Sequence, residues 1–284
     1  MVRLRPVVDD VPAIIGYPDR SRQRPSPEGQ PMTGHVTVAD QDAVRVIRLS
    51  RPEKKNAITQ DMYRDMSAAI DGAQDNASIR CLIISGEPGV FTAGNDLEDF
   101  LRDGTANTGT PRASNAIKFL HSLAHNAKPI VAAVDGIAIG IGTTMLFHCD
   151  QVIASTRATF ATPFIHLGLV PEGASSLLAP WMMGHQRAFS MLVMGRALNA
   201  EEARAAGFVN TVVAPEALEA EARKVAREIA ALPAEAVAAS RKLLKHPPED
   251  LIRRIDHESH LFGERMRSAE AVAAFKAFFA RKKP

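Results

Sequence analysis

Cysteine is scarce in this 284-residue chain, with two residues in all. Cys81 and Cys149 each sit in an apolar run (RCLII, FHCDQVI), so buried free thiols in a reducing compartment are expected. No C-x-x-C and no Cys/His ligand cluster occurs. Among the nine scattered histidines only His121 and His125 have the i, i+4 spacing of a helical zinc pair. They stand beside Lys118 and Lys128 without a third ligand, so a surface helix rather than a metal site is expected. No apolar stretch approaches the ~18 residues of a membrane-spanning helix, so no membrane partner is expected. The net charge of +2 is too small to argue for nucleic acid, and no long basic block precedes Arg281-Lys282-Lys283. No basic stripe interleaved with aromatics supports RNA either. The C-terminal tripeptide is not a peroxisomal address, which leaves a cytoplasmic location as the expectation. No internal repeat is evident.

What remains is an ordinary globular composition, 46% hydrophobic and 23% charged. Its length fits one large α/β domain with a helical appendage. Residues 1–31, rich in Pro and Arg, read as a disordered extension, with Met32 a candidate alternative start. Residues 32–215 read as an α/β core and 216–284 as a helical region. A hairpin is expected over His35–Ala39 and Val44–Ser50, then a helix from Gln60 to Asn76 capped by Thr59. Buried strands are expected at Cys81–Ser85, Ile130–Val134 and Gln151–Ala154, with another segment at Ala158–Ala161. Helices are expected at Ala113–Asn126 and Gly140–His148, and residues 103–111 read as a mobile loop. This strand–helix alternation argues for parallel βαβ units, followed by helices from Ala179 onward and a Phe-rich last helix at Ala269–Ala280.

Acids are scarce in one stretch, and there the scarcity is informative. Between Gly136 and Ser176 the only acids are Asp150 and Glu172. Glu172 lies in LVPEGASS, between Pro171 and Gly173. Burial among apolar neighbours would lift its pKa toward neutrality, which suits proton transfer at carbon. The plainer alternative is a Glu at a helix N-terminus, where Pro-Glu-Gly before Ala and Ser is ordinary cap chemistry. Two Gly-containing turns, FTAGND (91–96) and GIAIGIG (136–142), fall where strands hand over to helices. Each can aim a backbone N–H at one spot, and a pair of such donors suits an enolate oxygen. Their spacing is not the G-x-G-x-x-G of dinucleotide binding. Tight helix–strand packing would explain either turn alone equally well.

Taken together, RPEKKNAI (51–58), FTAGNDL (91–97), DGIAIGIG (135–142), CDQVIAS (149–155), ATFATPFIHLGLVPEG (158–173) and GRALNAEEARAAGFVN (195–210) resemble the crotonase (enoyl-CoA hydratase/isomerase) superfamily in order and spacing. The resemblance runs from about Val36 to Pro284. It implies an α/β fold of the ClpP/crotonase type, a spiral of ββα units with a C-terminal helical region that helps trimerisation. It also implies a homotrimer or a hexamer built as a dimer of trimers. The substrate it implies is an acyl-CoA thioester, with coenzyme A as part of the substrate and no separate cofactor. By position, the N–H groups of Asn95 and Ile141 become oxyanion donors. Lys54, Lys55, Asn56 and Ala57, then Ala93, Gly94, Asp96 and Leu97, fall on the coenzyme A side. Phe275, Phe278 and Lys282 belong to a segment that covers the coenzyme A of its own or a neighbouring subunit, with core packing as the alternative for the Phe residues. Phe100, Met145 and Phe164 are acyl-pocket candidates.

In the family's hydratases two carboxylates orient water and deliver a proton. The matching positions here are Thr144 and Phe164, neither an acid. Moving a double bond from the 3,4 to the 2,3 position asks for one acid, and Glu172 stands where the peroxisomal-type Δ3,Δ2-enoyl-CoA isomerases keep theirs. AGNDLEDF (93–100) and TPFIHLG (162–168) also look closer to that branch. The expected function is therefore an enoyl-CoA isomerase with Glu172 shuttling the proton. A hydratase, another acyl-CoA lyase or hydrolase, and a non-catalytic acyl-CoA- or RNA-binding member are the alternatives. His166 could orient Glu172 or be a hydrogen-bonded core or interface residue. Asp96 is expected to cap the helix after Asn95, whose own side chain capping would explain, and Asp150 to bind backbone before its strand.

Overall fold

The computed structural model describes residues 34–99 and 114–281, the latter without the Arg281 side chain. The expectations for residues 1–31, for the 103–111 loop, and for Phe100 and Lys282 lie outside the described residues. Strands β1 (Val36–Gln41) and β2 (Val44–Leu49) form the expected antiparallel hairpin. Its two-residue turn puts Asp42 and Ala43 at positive φ, the backbone that matches strand twist. The later strands are β3 (Cys81–Ser85), β4 (Val90–Thr92), β5 (Ile130–Val134), β6 (Ile137–Ile139), β7 (Gln151–Ser155), β8 (Thr159–Ala161), β9 (Leu198–Asn199) and β10 (Thr211–Val213).

These strands sort into two sheets. A six-stranded sheet has the order β1-β2-β3-β5-β7-β10, parallel except for the hairpin. A four-stranded sheet has the order β4-β6-β8-β9, parallel except for its last pair. From β3 to β8 the chain therefore alternates, one strand to the large sheet and the next to the small. Helices α1 (Gln60–Gln74), α2 (Asn115–His125) and α3 (Ile141–Thr144) complete successive turns of this spiral. Then follow α4 (Ser175–Met183), α5 (His185–Leu192), α6 (Ala200–Ala206), α7 (Leu218–Ala231), α8 (Ala234–Leu244), α9 (Pro248–Met266) and α10 (Ala269–Arg281).

Period-two alternation assigns the large sheet's side chains to two cores. Ile47, Leu49, Leu82, Ile84, Ala132 and Val134 face the main core with α1 and α2. Val44, Val46, Cys81, Ile83, Val131 and Ala133 face α7 through Leu218, Ala222 and Ala226. The C-terminal helical region thus shares a core with the strands. β4 falls where Phe91–Gly94 reads as a loop or strand end, and three further strands were not expected from sequence. β6 hides inside GIAIG, where glycine spacing suggested a turn, and β9 and β10 interrupt the stretch expected to be helical. Each has two or three residues, too short for a periodic signal, and each forms by completing an existing sheet.

Small residues let the two sheets' turns approach. Gly94 has φ +84°, and a Cβ there would stand 2.6 Å from the Ile139 carbonyl oxygen. A Cβ on Gly142 would meet the Thr92 methyl at 2.4 Å. Gly94→Ala is expected to lower stability by about 2–4 kcal/mol, because an Ala must both strain at positive φ and displace backbone. Urea unfolding monitored by circular dichroism checks this, and an unchanged midpoint would contradict it.

Candidate active site

The first Gly turn is assembled by side chains reading backbone. Asn56 is fully buried: its amide nitrogen donates to the Val90 and Phe91 carbonyls, and its carbonyl accepts the Arg51 amide. The Asn56 side chain, in the segment expected on the coenzyme A side, is thus spent inside the fold. Lys54 and Lys55 remain exposed beside it. Arg51 donates to the Ala57 carbonyl and to Asp96 at 2.8 Å. Asp96 also caps the next helix, as expected, by accepting the Glu98 and Asp99 amides. Its partners hold the carboxyl below the usual carboxylate range against the upward push of burial. In the run 93–96, the amides of Ala93, Gly94 and Asp96 donate to Lys55, Thr92 and Ile58. Only Asn95 has an amide with no acceptor among the described residues.

The second turn lies against the first through the Gly94–Ile139 approach. Gly140 donates to Ala161, and its carbonyl takes the Thr143 and Thr144 amides. The amides of Ile141 and Gly142 open this short helix without acceptors among the described residues, as first-turn amides do. Ile141 is 1% exposed. Next to the turn, a Cβ on Gly140 would stand 3.8 Å from the Phe164 ring.

Glu172 joins this arrangement from below α3. It is 9% exposed, and the Thr144 hydroxyl donates to its Oε1 at 2.6 Å. Burial pushes the carboxyl up to about 7, partly offset by the Thr144 bond, with the nearby Glu258 carboxylate adding to the rise. The helix-cap alternative does not describe this residue. The N-terminal amides around α4 are instead capped from far along the chain, Glu258 accepting the Ala174 and Ser176 amides at 2.6 and 3.0 Å. His166 does not orient Glu172: it is exposed and packs by its ring on Gly195. Tyr63 completes the cluster. It is fully buried beside Glu172, and its hydroxyl donates to Asn95 Oδ1 at 2.6 Å. Capping thus does not explain the Asn95 side chain.

The apolar candidates separate. Phe164 and Phe275 are buried in one cluster with Leu169 and Ala271, flanked by Leu97, Phe262 and Phe279. Phe275 is therefore buried within its own chain, in the cluster where the Phe164 ring meets Phe262 edge-on, and Phe278 lies outside that cluster, against the Phe279 ring. Met145 is wholly buried in the main core. Asp150, immediately before β7, accepts the amide of Ile130, the first residue of β5, and pairs with Arg241. A cavity of about 430 Å3 under α7, lined by Val46, Ile83 and Ala133, opens on the sheet's other face and includes none of the residues around Glu172.

A sequence profile described as Enoyl-CoA hydratase/isomerase matches residues 39–284. The chain belongs to the enoyl-CoA hydratase/isomerase family. Within it the chain is 35% identical over 253 residues to enoyl-CoA delta isomerase 2 of Rattus norvegicus, an alignment covering 87% of this chain and 64% of that protein. It is 31% identical to 4-chlorobenzoyl coenzyme A dehalogenase-2 of Arthrobacter sp, over 70% of this chain and 73% of the other. The crystal structure of an enoyl-CoA hydratase/isomerase from Pseudoalteromonas atlantica T6c superposes with a TM-score of 0.81 at 36% identity, covering 88% of this chain and 98% of that one. The two-sheet spiral is thus the crotonase fold.

Sequence reading missed Tyr63, Thr144 and Glu258 as members of this cluster. Thr144 was visible only as a missing carboxylate, and Glu258 lies 86 residues away from Glu172. A carboxyl that titrates near 4.5 when unfolded and about 7 when folded stabilises the fold fully below pH 4.5. That contribution, about 3 kcal/mol, is lost as pH rises through 7. Glu172→Gln is therefore expected to remove a loss of this size between pH 4.5 and 8, measured by urea unfolding of both proteins. Parallel stability–pH curves would contradict the burial.

Proposed function

We propose that the protein shifts the double bond of a 3-enoyl-CoA thioester to the 2,3 position, with Glu172 carrying the proton. The observation that carries this reading is the buried Glu172 carboxylate, raised to about 7 and held by the Thr144 hydroxyl. The Asn95 and Ile141 amides would receive the thioester oxygen as negative charge develops there. Ionised Glu172 removes a C2 proton to give the dienolate, and the resulting acid returns that proton to C4, leaving the base as it began. Lys54 and Lys55, together with the backbone of Ala57, Ala93 and Gly94, are proposed to face coenzyme A. Phe164 and Leu97 are proposed to line the acyl side and exclude water, while Met145 stays in the main core. A trimeric or hexameric assembly belongs to the same proposal.

Hydration asks for a second carboxylate at the reacting carbon. Thr144 and Phe164 do not supply one. Glu258, the other buried acid nearby, has both oxygens occupied by the amides of Ala174 and Ser176.

Steady-state kinetics on 3-enoyl-CoA are expected to show kcat/KM rising with pH through about 7, since the base must be ionised. Glu172→Gln is expected to lower kcat by roughly 10²–10⁴-fold with little change in KM. Rapid hydration of 2-enoyl-CoA by the wild type, with normal isomerisation by the variant, would overturn the reading.

A further inference from the structure

Helix α9 buries three residues, Leu251, Ile255 and Glu258, spaced as one helical face. Two are apolar and the third is an acid that is 4% exposed. A carboxylate at a core position is costly unless hydrogen bonds satisfy it. Here they do, and every donor comes from the turn that follows Glu172. Oε2 accepts the Ala174 amide at 2.6 Å, and Oε1 accepts both the Ser176 amide and the Ser176 hydroxyl. Arg254, one turn earlier on α9, donates to the same hydroxyl at 3.2 Å. Both oxygens of Glu258 accept N–H bonds, the pattern of an ionised carboxylate.

The turn needs holding. Gly173 and Ala174 both adopt positive φ, +71° and +57°, and for Ala that conformation is strained. Space is tight as well, for a Cβ on Gly173 would stand 3.2 Å from Leu120 and 3.3 Å from Thr144 Oγ1. α4 has no side-chain cap of its own at Ala174. On the opposite side, the buried His148 donates through Nε2–H to the Gly173 carbonyl at 2.8 Å. The segment carrying Glu172 is thus gripped twice, at a carbonyl by His148 and at two amides by Glu258.

We propose that Glu258 is a positioning residue for Glu172. Its carboxylate fixes the left-handed turn so that the Glu172 side chain stays against Thr144, and when ionised it sets a like charge near Glu172 from the C-terminal helices. Burial raises the Glu258 carboxyl above its ordinary value, and the bonds from Ser176 and Ala174 together with Arg254 work against that rise. This rests on Glu172 being the proton carrier. The titratable groups around Glu172 are Tyr63 from α1, His148 from the turn after α3, and Glu258 with Arg254 from α9. Behind His148 stand Lys245, Asp150 and Arg241, and α9 also pairs Asp256 with His121 of α2. Burial holds His148 down at about 4 and Tyr63 well above its ordinary value, so neither changes charge near neutrality.

The test compares wild type with Glu258→Gln, Glu258→Asp and Glu172→Gln, reading kcat, KM and the midpoint of the kcat/KM–pH rise on 3-enoyl-CoA. Gln sets an amide donor against an amide donor and removes the charge. Glu258→Gln is expected to lower kcat by roughly 10–100-fold with KM changed less than about threefold, the cost of a base displaced on the ångström scale. Its midpoint should move below that of the wild type, because a like charge has been taken away. Asp keeps the charge but retracts by one methylene, so Glu258→Asp should lower kcat less and leave the midpoint in place. An inactive Glu172→Gln beside a Glu258→Gln of wild-type kcat and midpoint would overturn the proposal while leaving the isomerase reading intact. A fully active Glu172→Gln would overturn the isomerase reading itself. Should Glu258→Gln fail to fold, Glu258→Asp decides alone, and wild-type kcat in that variant would overturn the assignment.

Discussion

The hydrogen bond from the Thr144 hydroxyl to Glu172 joins two segments that meet nowhere near each other in sequence. One is the short helix opened by Gly140, the other the turn leading into α4. A carboxylate in so apolar a place would cost several kcal/mol if it were ionised and unpaired. The fold limits that cost in two ways, with one short donor at 2.6 Å and with a proton affinity raised to about 7. Both depend on α3 sitting where it does, and α3 sits there because Gly94 and Gly142 let the two sheets' turns touch without side chains between them. The close approach of the turns and the isolation of the acid are therefore one constraint seen from two sides.

Much of this architecture was legible in the residues. The short apolar runs CLIIS and IVAAV mark buried strands of the large sheet, and Thr59 announces α1 where it starts. The block order from RPEKKNAI to GRALNAEEARAAGFVN points to the family on its own. Glu172 stood out because its surroundings lack acids, a signal that survives without any contact information. What was hidden has a common cause. β6, β9 and β10 are too short to show a period and exist only because a neighbouring strand is already in place. Asn56 sits in a loop segment with nothing to mark its burial, yet its three bonds to Arg51, Val90 and Phe91 make its side chain an internal strut. Tyr63 reads as one more apolar residue of α1, and only the fold shows its hydroxyl reaching Asn95.

The C-terminal helices prove to be more than an appendage. α7 supplies one wall of the second core, α10 joins the cluster around Phe164 through Phe275, and α9 reaches the Glu172 turn with an acidic side chain. Each contact links a region remote in sequence to the same small volume. In the proposed chemistry the division of labour is simple. Backbone amides take the developing charge, apolar side chains keep water away, and a single carboxylate moves one proton. A site with one free acid suits a reaction that returns its proton to the substrate.

The most direct measurement follows that proton. A 3-enoyl-CoA carrying deuterium at C2 is converted in ordinary water, and the product is read by mass spectrometry and proton NMR. A single shuttling carboxylate predicts 2-enoyl-CoA with part of the deuterium transferred to C4. Product with no deuterium at C4, or accumulation of the 3-hydroxyacyl thioester instead, would contradict the account.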